Sequence, residues 1–409
     1  MKKKIIVLFP YKFTDSYFFR FGFDLLQKKN CEIEIHDLSD LFISKKFQGE
    51  WKVESFKEKN LKFKSILSWF YYITKIPTRT CIINLTNNNF SSINSFFIKV
   101  ILSIKFFLVF TYNVDEVLIE KPKRDSDYII SKIFKEHKYD IIFYFNFIKK
   151  IIFFNLNKIV KYKKEIILTN IQKKNQTYIK SRIIKNVHSF DYSNFLRVKR
   201  NKNINNKYFV YLDTGFPYFS GDNFLDKSIN FNNNQFKIKK FVNNLNYFFH
   251  SIEKKFKKRV LIVFHPKFRL LNSKKTIYNF FKNFKIFNKI DTNEAVRQAY
   301  CVLINTITTS TSFAVLNYRP IIFLDSQISN SLIGINDIRD RKKFLNLLNL
   351  KSINLDHGNS IDKNDIKVDR KAYDKYRFRY LQNSDPNLSN KFNSDIIYDA
   401  ILSNSNFEK

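Results

Sequence analysis

Short apolar runs alternate with longer amphipathic patterns along most of the chain. Such runs predict strands in the first half at Lys4–Phe9, Cys31–His36, Asp140–Phe145 and Glu165–Thr169. In the second half they predict strands at Tyr208–Leu212, Val260–Phe264, Cys301–Asn305 and Pro320–Leu324, with a short one near Lys285–Ile290. Strands that alternate with helices form parallel βαβ units, so the pattern predicts sheets that helices cover on both faces.

The segments between these runs carry helical spacing. Helices are predicted from Thr14 or Asp15 to about Lys29, over Asp127–His137, over Phe236–Phe256, from a cap at Thr292, over Thr311–Tyr318, over the basic and aromatic stretch Arg370–Leu381, and over Asp395–Leu402. Lys99 and Lys105 interrupt the apolar segment Phe96–Tyr112, and a spanning helix needs about 20 mostly apolar residues. That segment is therefore predicted to be a buried or membrane-surface helix.

The length of 409 residues suits two α/β domains. The polar, unpatterned stretch Arg197–Lys207 is the candidate linker between them. We expect a first domain over residues 1–200, a second over residues 201–385, and a C-terminal helix or tail over residues 386–409 that packs back on the first domain. The predicted architecture is two doubly wound, Rossmann-like domains whose parallel sheets face a central cleft.

The chain is strongly basic, with 72 Lys and Arg against 36 Asp and Glu and a formal net charge of +36. Such an excess attracts polyanions, whether nucleic acid, anionic lipid or phosphorylated substrates. A coding bias towards AT-rich codons also enriches Lys, Asn, Ile, Phe and Tyr together. Because the lysines are spread along the chain and form no basic arm or stripe, the pattern disfavours nucleic-acid binding.

Cysteine usage and the N-terminus indicate the compartment. Cys31, Cys81 and Cys301 lie far apart without a CxxC pair, which is typical of reduced thiols in a cytoplasmic protein. The apolar run after the N-terminal lysines has only five residues before Pro10, so it predicts a strand and not a signal peptide. Arg370–Leu381 and the helix near Phe96 also suit peripheral attachment to the anionic inner face of the cytoplasmic membrane. A solvated helix and a core helix are the structural alternatives.

Three motifs follow predicted strands of the second half, where ligands bind in doubly wound folds. In the first, YLDTGFPYFSGD, two of the chain's six glycines lie close together, including Gly215. Asp213 ends the strand, where its carboxylate is able to accept a proton, or to order a turn. In the second, LIVFHPK, Pro266 ends the strand and holds His265 at the rim of the sheet, followed by Lys267. An imidazole there is able to stabilise a leaving phosphate, or it is structural.

The third motif, Asn305–Asp325, carries a run of hydroxyl side chains between a strand and a helix. The run includes Thr309, Ser310, Thr311 and Ser312, and Asp325 ends the motif. Free N–H groups at a helix N-terminus bind phosphate and hydroxyls add donors, whereas ordinary capping needs only one hydroxyl. The run therefore favours a phosphate site.

Two weaker signals complete the candidates. Asp125-Ser126-Asp127 has the form of a metal-binding DxD, but it opens a predicted helix among lysines, where an N-cap explains it, so no metal is expected. His188 and Asp191, near the end of the first domain, are candidates for the cleft or for packing.

The combination of a strand ending in His265-Pro266 and, some 40 residues later, a hydroxyl-rich strand-to-helix turn is similar to that of bacterial sialyltransferases and Kdo transferases of capsule and lipopolysaccharide synthesis. The sequence of residues 261–325 also resembles the sequences of glycosyltransferases of surface-polysaccharide clusters more broadly. The resemblance covers Tyr208–Asp325, whereas the first half matches only as a generic acceptor-binding domain. It implies the GT-B fold, with a second domain that binds a nucleotide-sugar donor.

The resemblance also implies roles for individual residues. His265 would contact the donor phosphate, and Ser310, Thr311 and Ser312 would hold the phosphate or ribose. We predict that Pro266, Lys267 and Thr309 complete the donor-binding set. The general base of these families lies in an acidic motif ending in glycine. The nearest match here, Asp213-Thr214-Gly215, lacks the second carboxylate and lies in the second domain.

These observations predict a metal-independent, cytoplasmic glycosyltransferase without a cofactor. Its expected partners are a nucleotide-sugar donor, with a CMP-linked acidic sugar favoured, and a glycan or glycolipid acceptor of a bacterial surface polysaccharide. Teichoic-acid glycerophosphotransferases share a similar His-Pro and hydroxyl-rich turn, so a CDP-polyol phosphotransferase is the enzyme alternative. A basic nucleic-acid-binding protein is the alternative of another class.

Overall fold

The structure is a computed structural model that describes residues 2–42, 59–86, 93–105, 107–113, 141–170, 183–197, 206–214, 235–264, 278–287, 292–331, 335–358, 360–383 and 385–405. Two parallel sheets organise these residues. The predicted helix Asp127–His137, the Asp125-Ser126-Asp127 motif and most of the predicted linker lie outside the described residues.

The first sheet has seven strands in the order β3-β2-β1-β4-β5-β6-β7, and every neighbouring pair is parallel. Its strands are β1 (Lys3–Phe9), β2 (Cys31–Asp37), β3 (Asn60–Lys62), β4 (Cys81–Asn84), β5 (Leu108–Asn113), β6 (Lys164–Thr169) and β7 (Ile183–Asn186). The helices of this half are α1 (Asp15–Arg20), α2 (Phe23–Lys28), α3 (Ser39–Phe42), α4 (Ile66–Thr74), α5 (Ile93–Ile104), α6 (Ile141–Ile159) and α7 (Phe190–Arg197).

Strand β1 shows why both faces of this sheet are covered. Side chains alternate between the two faces of a strand. Ile5, Val7 and Phe9 pack into one buried cluster with α1 and α2, whereas Ile6 and Leu8 pack into another with α4 and α5. A strand that is apolar at every position therefore lies between two layers of helices, as expected for a parallel sheet.

The second sheet has six strands in the order β10-β9-β8-β11-β12-β13, again all parallel. Its strands are β8 (Tyr208–Asp213), β9 (Arg259–Phe264), β10 (Lys285–Ile286), β11 (Ala299–Ile304), β12 (Ile321–Asp325) and β13 (Lys351–Asn354). The α-helices are α8 (Gln235–Phe256), α9 (Thr292–Arg297), α10 (Thr311–Leu316), α11 (Gln327–Asn330), α12 (Ile335–Leu348), α13 (Arg370–Tyr376), which continues as a π-helical turn over Arg377–Leu381, and α14 (Asn393–Ser405). Short 3₁₀ turns cover Leu355–His357, Lys363–Asp365 and Pro386–Leu388.

These sheets confirm the prediction of two doubly wound α/β domains. The predicted helix Phe236–Phe256 is also confirmed as α8, and its Phe241, Leu245, Phe248 and Ile252 are buried in the second domain. Each of these side chains follows the previous one by three or four residues, so one side of the helix faces the sheet.

Three predicted elements of the first half differ in the structure. Asp140–Phe145 was predicted to be a strand, but its apolar residues open α6, because the apolar pattern runs on for 19 residues without Gly or Pro. Phe96–Tyr112 is not one helix: α5 ends at Ile104, and the aromatic and β-branched residues of β5 pair with strands on both sides. The predicted helix from Thr14 to Lys29 is split at Gly22, whose φ of 78° only glycine adopts readily.

Segments at the domain junction pack against both halves. Phe190 of α7 belongs to the first-domain core, and Tyr192 of the same helix belongs to the second-domain core. Helix α14 returns from the second domain, and its Ile396, Ile397 and Ile401 are buried against α2 in the first. Two helices therefore form the junction. Helix α7 packs apolar side chains into both cores, and α14 packs on the first domain after the chain has left the second.

Candidate active site

A small pocket lies at the carboxyl ends of β8 and β9, the edge where ligands bind in doubly wound folds. It is shallow and open to solvent. Its lining consists of Leu212, Asp213, Thr214, Val263, Phe264, Thr292, Thr308 and Ser310. One carboxylate and several hydroxyls thus meet at this edge of the second sheet.

Asp213 is the last residue of β8 and is 3% exposed, so its carboxylate lies at the floor of the pocket. Thr214 follows it, and its Oγ1 lies 2.6 Å from Oγ1 of Thr306, which follows β11. This hydroxyl pair ties together the loops of two adjacent strands. The backbone beside Asp213 is therefore held in place by side chains of a neighbouring loop.

The hydroxyl run before α10 forms a tight turn. Thr308 Oγ1 accepts a hydrogen bond from the backbone N–H of Ser310 at 3.2 Å, and the N–H groups of Thr311 and Ser312 donate to the carbonyl oxygens of Thr308 and Thr309. These amides have partners within the turn. The hydroxyl of Ser310, in contrast, makes no hydrogen bond with any described residue, so it is a donor that the turn offers to the pocket.

The predicted donor-binding hydroxyls divide into two groups. Thr309 and Ser310 are partly exposed, and Ser310 lines the pocket. Thr311 and Ser312 are buried, and their side-chain oxygens have no hydrogen-bond partner among the described residues. The structure does not bring these two side chains to the pocket lining, because they already lie within the first turn of α10, which packs on α7 and α9.

Arg20 reaches the hydroxyl turn from the first domain. Its Nη2 lies 3.5 Å from Thr309 Oγ1 and 3.7 Å from an oxygen of the buried Asp191 on α7. Arg20 ends α1, which follows β1, whereas Thr309 follows β11, so the carboxyl edges of the two sheets face each other across a cleft. Asp191 was predicted as a cleft candidate, and it lies in contact with the side chain that crosses the cleft.

The sequence alone did not single out Arg20. The one sequence feature that indicates a role for Arg20 is its position at the end of the first helix after the first strand of a parallel sheet. In the structure that position lies near the carboxyl edge, because the ring of the next residue, Phe21, is 6.1 Å from the ring of Phe9 at the end of β1. Many lysines and arginines share such positions in a chain this basic, so only the fold distinguishes this one.

His188 lies at the domain junction and not at the pocket. Its Nδ1 accepts a hydrogen bond from the N–H of Asn383 at 2.9 Å, and its Nε2 donates to the carbonyl oxygen of Leu388 at 2.8 Å. Its backbone also exchanges two hydrogen bonds with the side chain of Asn393. Burial lowers the pKa of His188 and outweighs the backbone contacts that raise it. This neutral imidazole fastens the C-terminal segment to the first domain.

Asp325 ends β12 on the same edge of the second sheet but does not line the pocket. One of its oxygens accepts hydrogen bonds from the backbone N–H of Ser326, from Asn330 and from Arg341, at 2.9 to 3.0 Å. The guanidinium of Arg341 also lies over the ring of Phe323, 4.7 Å from its centroid. Through these contacts, Asp325 orders the turn between β12 and α11.

The remaining candidates lie outside the described residues: His265, Pro266, Lys267 and Gly215. Phe264, which precedes His265 in the sequence, lines the pocket beside Asp213. Within the described part of the chain, no three His, Cys, Asp or Glu side chains are grouped so that they could hold a metal ion. Across the same residues, no helix combines the length and apolar character that crossing a membrane requires.

The sequence matches no protein-family model and none of the curated proteins. Solved structures share the outline of the fold. Acinetobacter baumannii MurG is 8% identical with a TM-score of 0.45, covering 97% of this chain and 99% of its own. Os79 from O. sativa, in complex with UDP and deoxynivalenol-3-glucoside, is 10% identical with a TM-score of 0.42, covering 98% and 95%. A Listeria monocytogenes protein described as a UDP-N-acetylglucosamine 2-epimerase is 10% identical with a TM-score of 0.47, covering 100% and 97%.

At such identities, and with TM-scores below 0.5, these likenesses carry no argument about what the chain does. The architecture rests on the chain's own features. These are two doubly wound parallel sheets whose carboxyl edges face each other, which is the GT-B arrangement.

Proposed function

We propose that the chain is a metal-independent glycosyltransferase that moves a sugar from a nucleotide donor to a hydroxyl group of a bacterial surface glycan. The observation that carries the proposal is the meeting of three kinds of group at one cleft. A buried carboxylate, Asp213, lies beside the free hydroxyl of Ser310, and a guanidinium, Arg20, reaches the same turn from the opposite domain.

Each of these groups has a role in sugar transfer. The acceptor hydroxyl gives its proton to the carboxylate of Asp213, and its oxygen forms a bond to the anomeric carbon of the donor. The bond between that carbon and the phosphate oxygen breaks, and the nucleotide leaves with the electron pair. Arg20 and the hydroxyls of Thr308 and Ser310 stabilise the negative charge that develops on the departing phosphate. His265 joins them in this role, as its sequence position after β9 predicts.

The donor that we favour is a CMP-linked acidic sugar, and the acceptor is a glycan or glycolipid of lipopolysaccharide or capsule type. Both choices rest on the resemblance of the His265-Pro266 motif and of the hydroxyl-rich turn to sialyltransferases and Kdo transferases. We place the enzyme in the cytoplasm, because its three cysteines lie far apart in the sequence without a CxxC pair.

A donor screen tests this proposal. Purified protein is incubated with CMP-, UDP- and GDP-linked sugars and with CDP-glycerol, with and without EDTA, and release of the free nucleotide is measured. We expect release from a CMP-sugar, unchanged by EDTA and abolished in Asp213→Asn. Release from a UDP- or GDP-sugar would support glycosyltransferase activity and contradict the CMP-linked donor. Turnover of CDP-glycerol alone would identify a polyol phosphotransferase, and loss of activity with EDTA would reject metal independence.

A further inference from the structure

Exposed apolar side chains are concentrated on three neighbouring helices of the first domain, α4, α5 and α6. The large hydrophobic residues that these helices leave exposed are Leu67, Phe70, Tyr71, Ile93, Phe97, Ile104, Phe145, Ile148, Ile151, Ile152 and Ile159. Soluble proteins expose single apolar residues routinely, but contiguous patches mark interaction sites. We call this surface the apolar face.

The three helices form one continuous layer. The rings of Phe96 on α5 and Phe153 on α6 lie 5.9 Å apart, and Lys105 beyond α5 donates a hydrogen bond to the carbonyl oxygen of Thr74 at the end of α4. The inner sides of α4 and α5 already fill the core, with Trp69 and Ile98 fully buried. The exposed apolar side chains are therefore not part of the core, because other side chains of the same helices already cover the sheet.

Helix α6 shows this most clearly. Phe145, Ile148, Ile152 and Ile159 follow one another at helical spacing, and between 50% and 73% of each side chain is exposed. An outward stripe of this kind is costly in water unless something covers it.

The charged side chains that α4, α5 and α6 themselves carry have one sign. No Asp or Glu occurs in residues 59–114 or 141–164, the two stretches that contain α4, α5 and α6. Lys64, Lys75, Arg79, Lys149 and Lys161 are exposed there and form no ion pair with another described residue. Elsewhere in the same domain, basic side chains do find acidic partners, as Arg197 does with Asp24 at 2.9 Å.

We propose that the apolar face docks on the surface of an anionic lipid bilayer. Helices that lie in the membrane interface combine an apolar side with flanking lysines and aromatic residues, which is the composition found here. Charge complementarity decides the occupant. The described residues of α4, α5 and α6 include basic but no acidic side chains, so they attract anionic headgroups and repel a second copy of the same helices.

Topology places this face next to the cleft. A helix that follows a parallel strand begins near the carboxyl edge of the sheet, so Leu67, Ile93 and Phe145 lie towards that edge. Docking would therefore hold the cleft close to the bilayer surface, where an acceptor anchored in lipid presents its sugar. Bilayer binding does not depend on the proposed transferase activity, so the two are tested separately.

Vesicle co-sedimentation tests the proposal with the full chain. Vesicles of phosphatidylcholine mixed with phosphatidylglycerol are compared with vesicles of phosphatidylcholine alone. We expect binding to the anionic vesicles that weakens as salt is added. The double variant Ile148→Gln and Ile152→Gln should lower the partition coefficient by about tenfold or more, since it removes two apolar side chains that the bilayer would bury. The double variant Lys75→Gln and Lys149→Gln should lower it by about fivefold per lysine.

Matched controls lie on α8 of the second domain. Phe236→Gln with Tyr247→Gln alters two exposed apolar residues, and Lys254→Gln with Lys239→Gln removes two exposed charges. Both should bind like the parent chain, and circular dichroism checks that every variant is folded. Equal losses in the α6 and α8 variants, or no preference for anionic vesicles, would overturn the proposal. A parent dimer that Ile148→Gln with Ile152→Gln converts to a monomer in solution would assign the face to self-association instead.

Discussion

The side chains of Arg20 and Thr309 are 289 positions apart in the sequence, and they meet across the cleft with Nη2 of the arginine 3.5 Å from Oγ1 of the threonine. The same guanidinium nitrogen lies 3.7 Å from Asp191, which holds the arginine on the first-domain side. Arg20 is thus a cation of the first domain positioned at the hydroxyl turn of the second. This geometry suits stabilisation of a phosphate that binds between the domains.

Arg20→Ala should lower kcat on the order of a hundredfold, because it removes a charge that stabilises the leaving phosphate. Steady-state kinetics with the donor identified in the screen measure this effect. Arg20→Lys should restore part of the rate, since it keeps the charge but not the planar donor geometry.

Arg197→Ala is the matched control for Arg20→Ala. Arg197 also belongs to the first domain, where its guanidinium pairs with Asp24 and makes no hydrogen bond to the described residues of the hydroxyl turn. It should cost stability and leave kcat nearly unchanged. Equal losses of kcat in both variants would show that Arg20 acts only through folding.

Asp213→Asn should keep nucleotide binding while kcat falls on the order of 10² to 10⁴-fold, because an amide is unable to accept the acceptor's proton. Parallel measurement of nucleotide affinity and of kcat separates the two effects. A variant with normal kcat would show that Asp213 only orders the turn after β8.

Acid should weaken the fold below about pH 6.5, the ordinary pKa of histidine. Burial is the largest cause that lowers the pKa of His188, and it is also the largest cause that lowers the pKa of His36. Below that pH the unfolded chain binds protons that the native imidazoles do not, so unfolding takes up protons and acid favours it. The stabilising contribution is present above pH 6.5 and is lost as the pH falls.

Chemical unfolding across this pH range measures the effect. Each histidine contributes a slope of up to about 1.4 kcal/mol per pH unit in the free energy of unfolding. His188→Asn should be less stable near neutral pH and should show a smaller slope than the parent chain. An unchanged slope in a folded His188→Asn would contradict this account of the junction.

Ile397→Ala should destabilise the protein by about 2–5 kcal/mol, because this side chain of α14 is fully buried in the first-domain core. Leu402→Ala on the same helix, where the side chain is 39% exposed, is the control and should cost much less. Thermal unfolding compares them. Similar losses in both would mean that α14 does not dock as one ordered helix.

The sequence predicts the strands that are short apolar runs between helical patterns, such as β8 and β9 on either side of α8. It does not predict β3, β4, β5, β7 and β13. It fails where an apolar run fits either element, as for α6, since only the neighbours of the segment decide. The hydroxyl run before α10 marked the site, but the burial of Thr311 and Ser312 depends on how α10 packs. Arg20 was missed because its partner is remote in the sequence.

The central claim is that the carboxyl edge of the second sheet binds a nucleotide donor, and thermal unfolding with CMP, CDP, UDP, GDP and ADP tests it most directly. A ligand at a hundred times its Kd stabilises the native state by about 2.7 kcal/mol. We predict selective stabilisation by CMP that weakens in Ser310→Ala and in His265→Ala. Ser251→Ala, whose hydroxyl bonds within α8, should retain it. No stabilisation by any of these nucleotides, or a shift that Ser310→Ala and His265→Ala leave intact, would contradict the account.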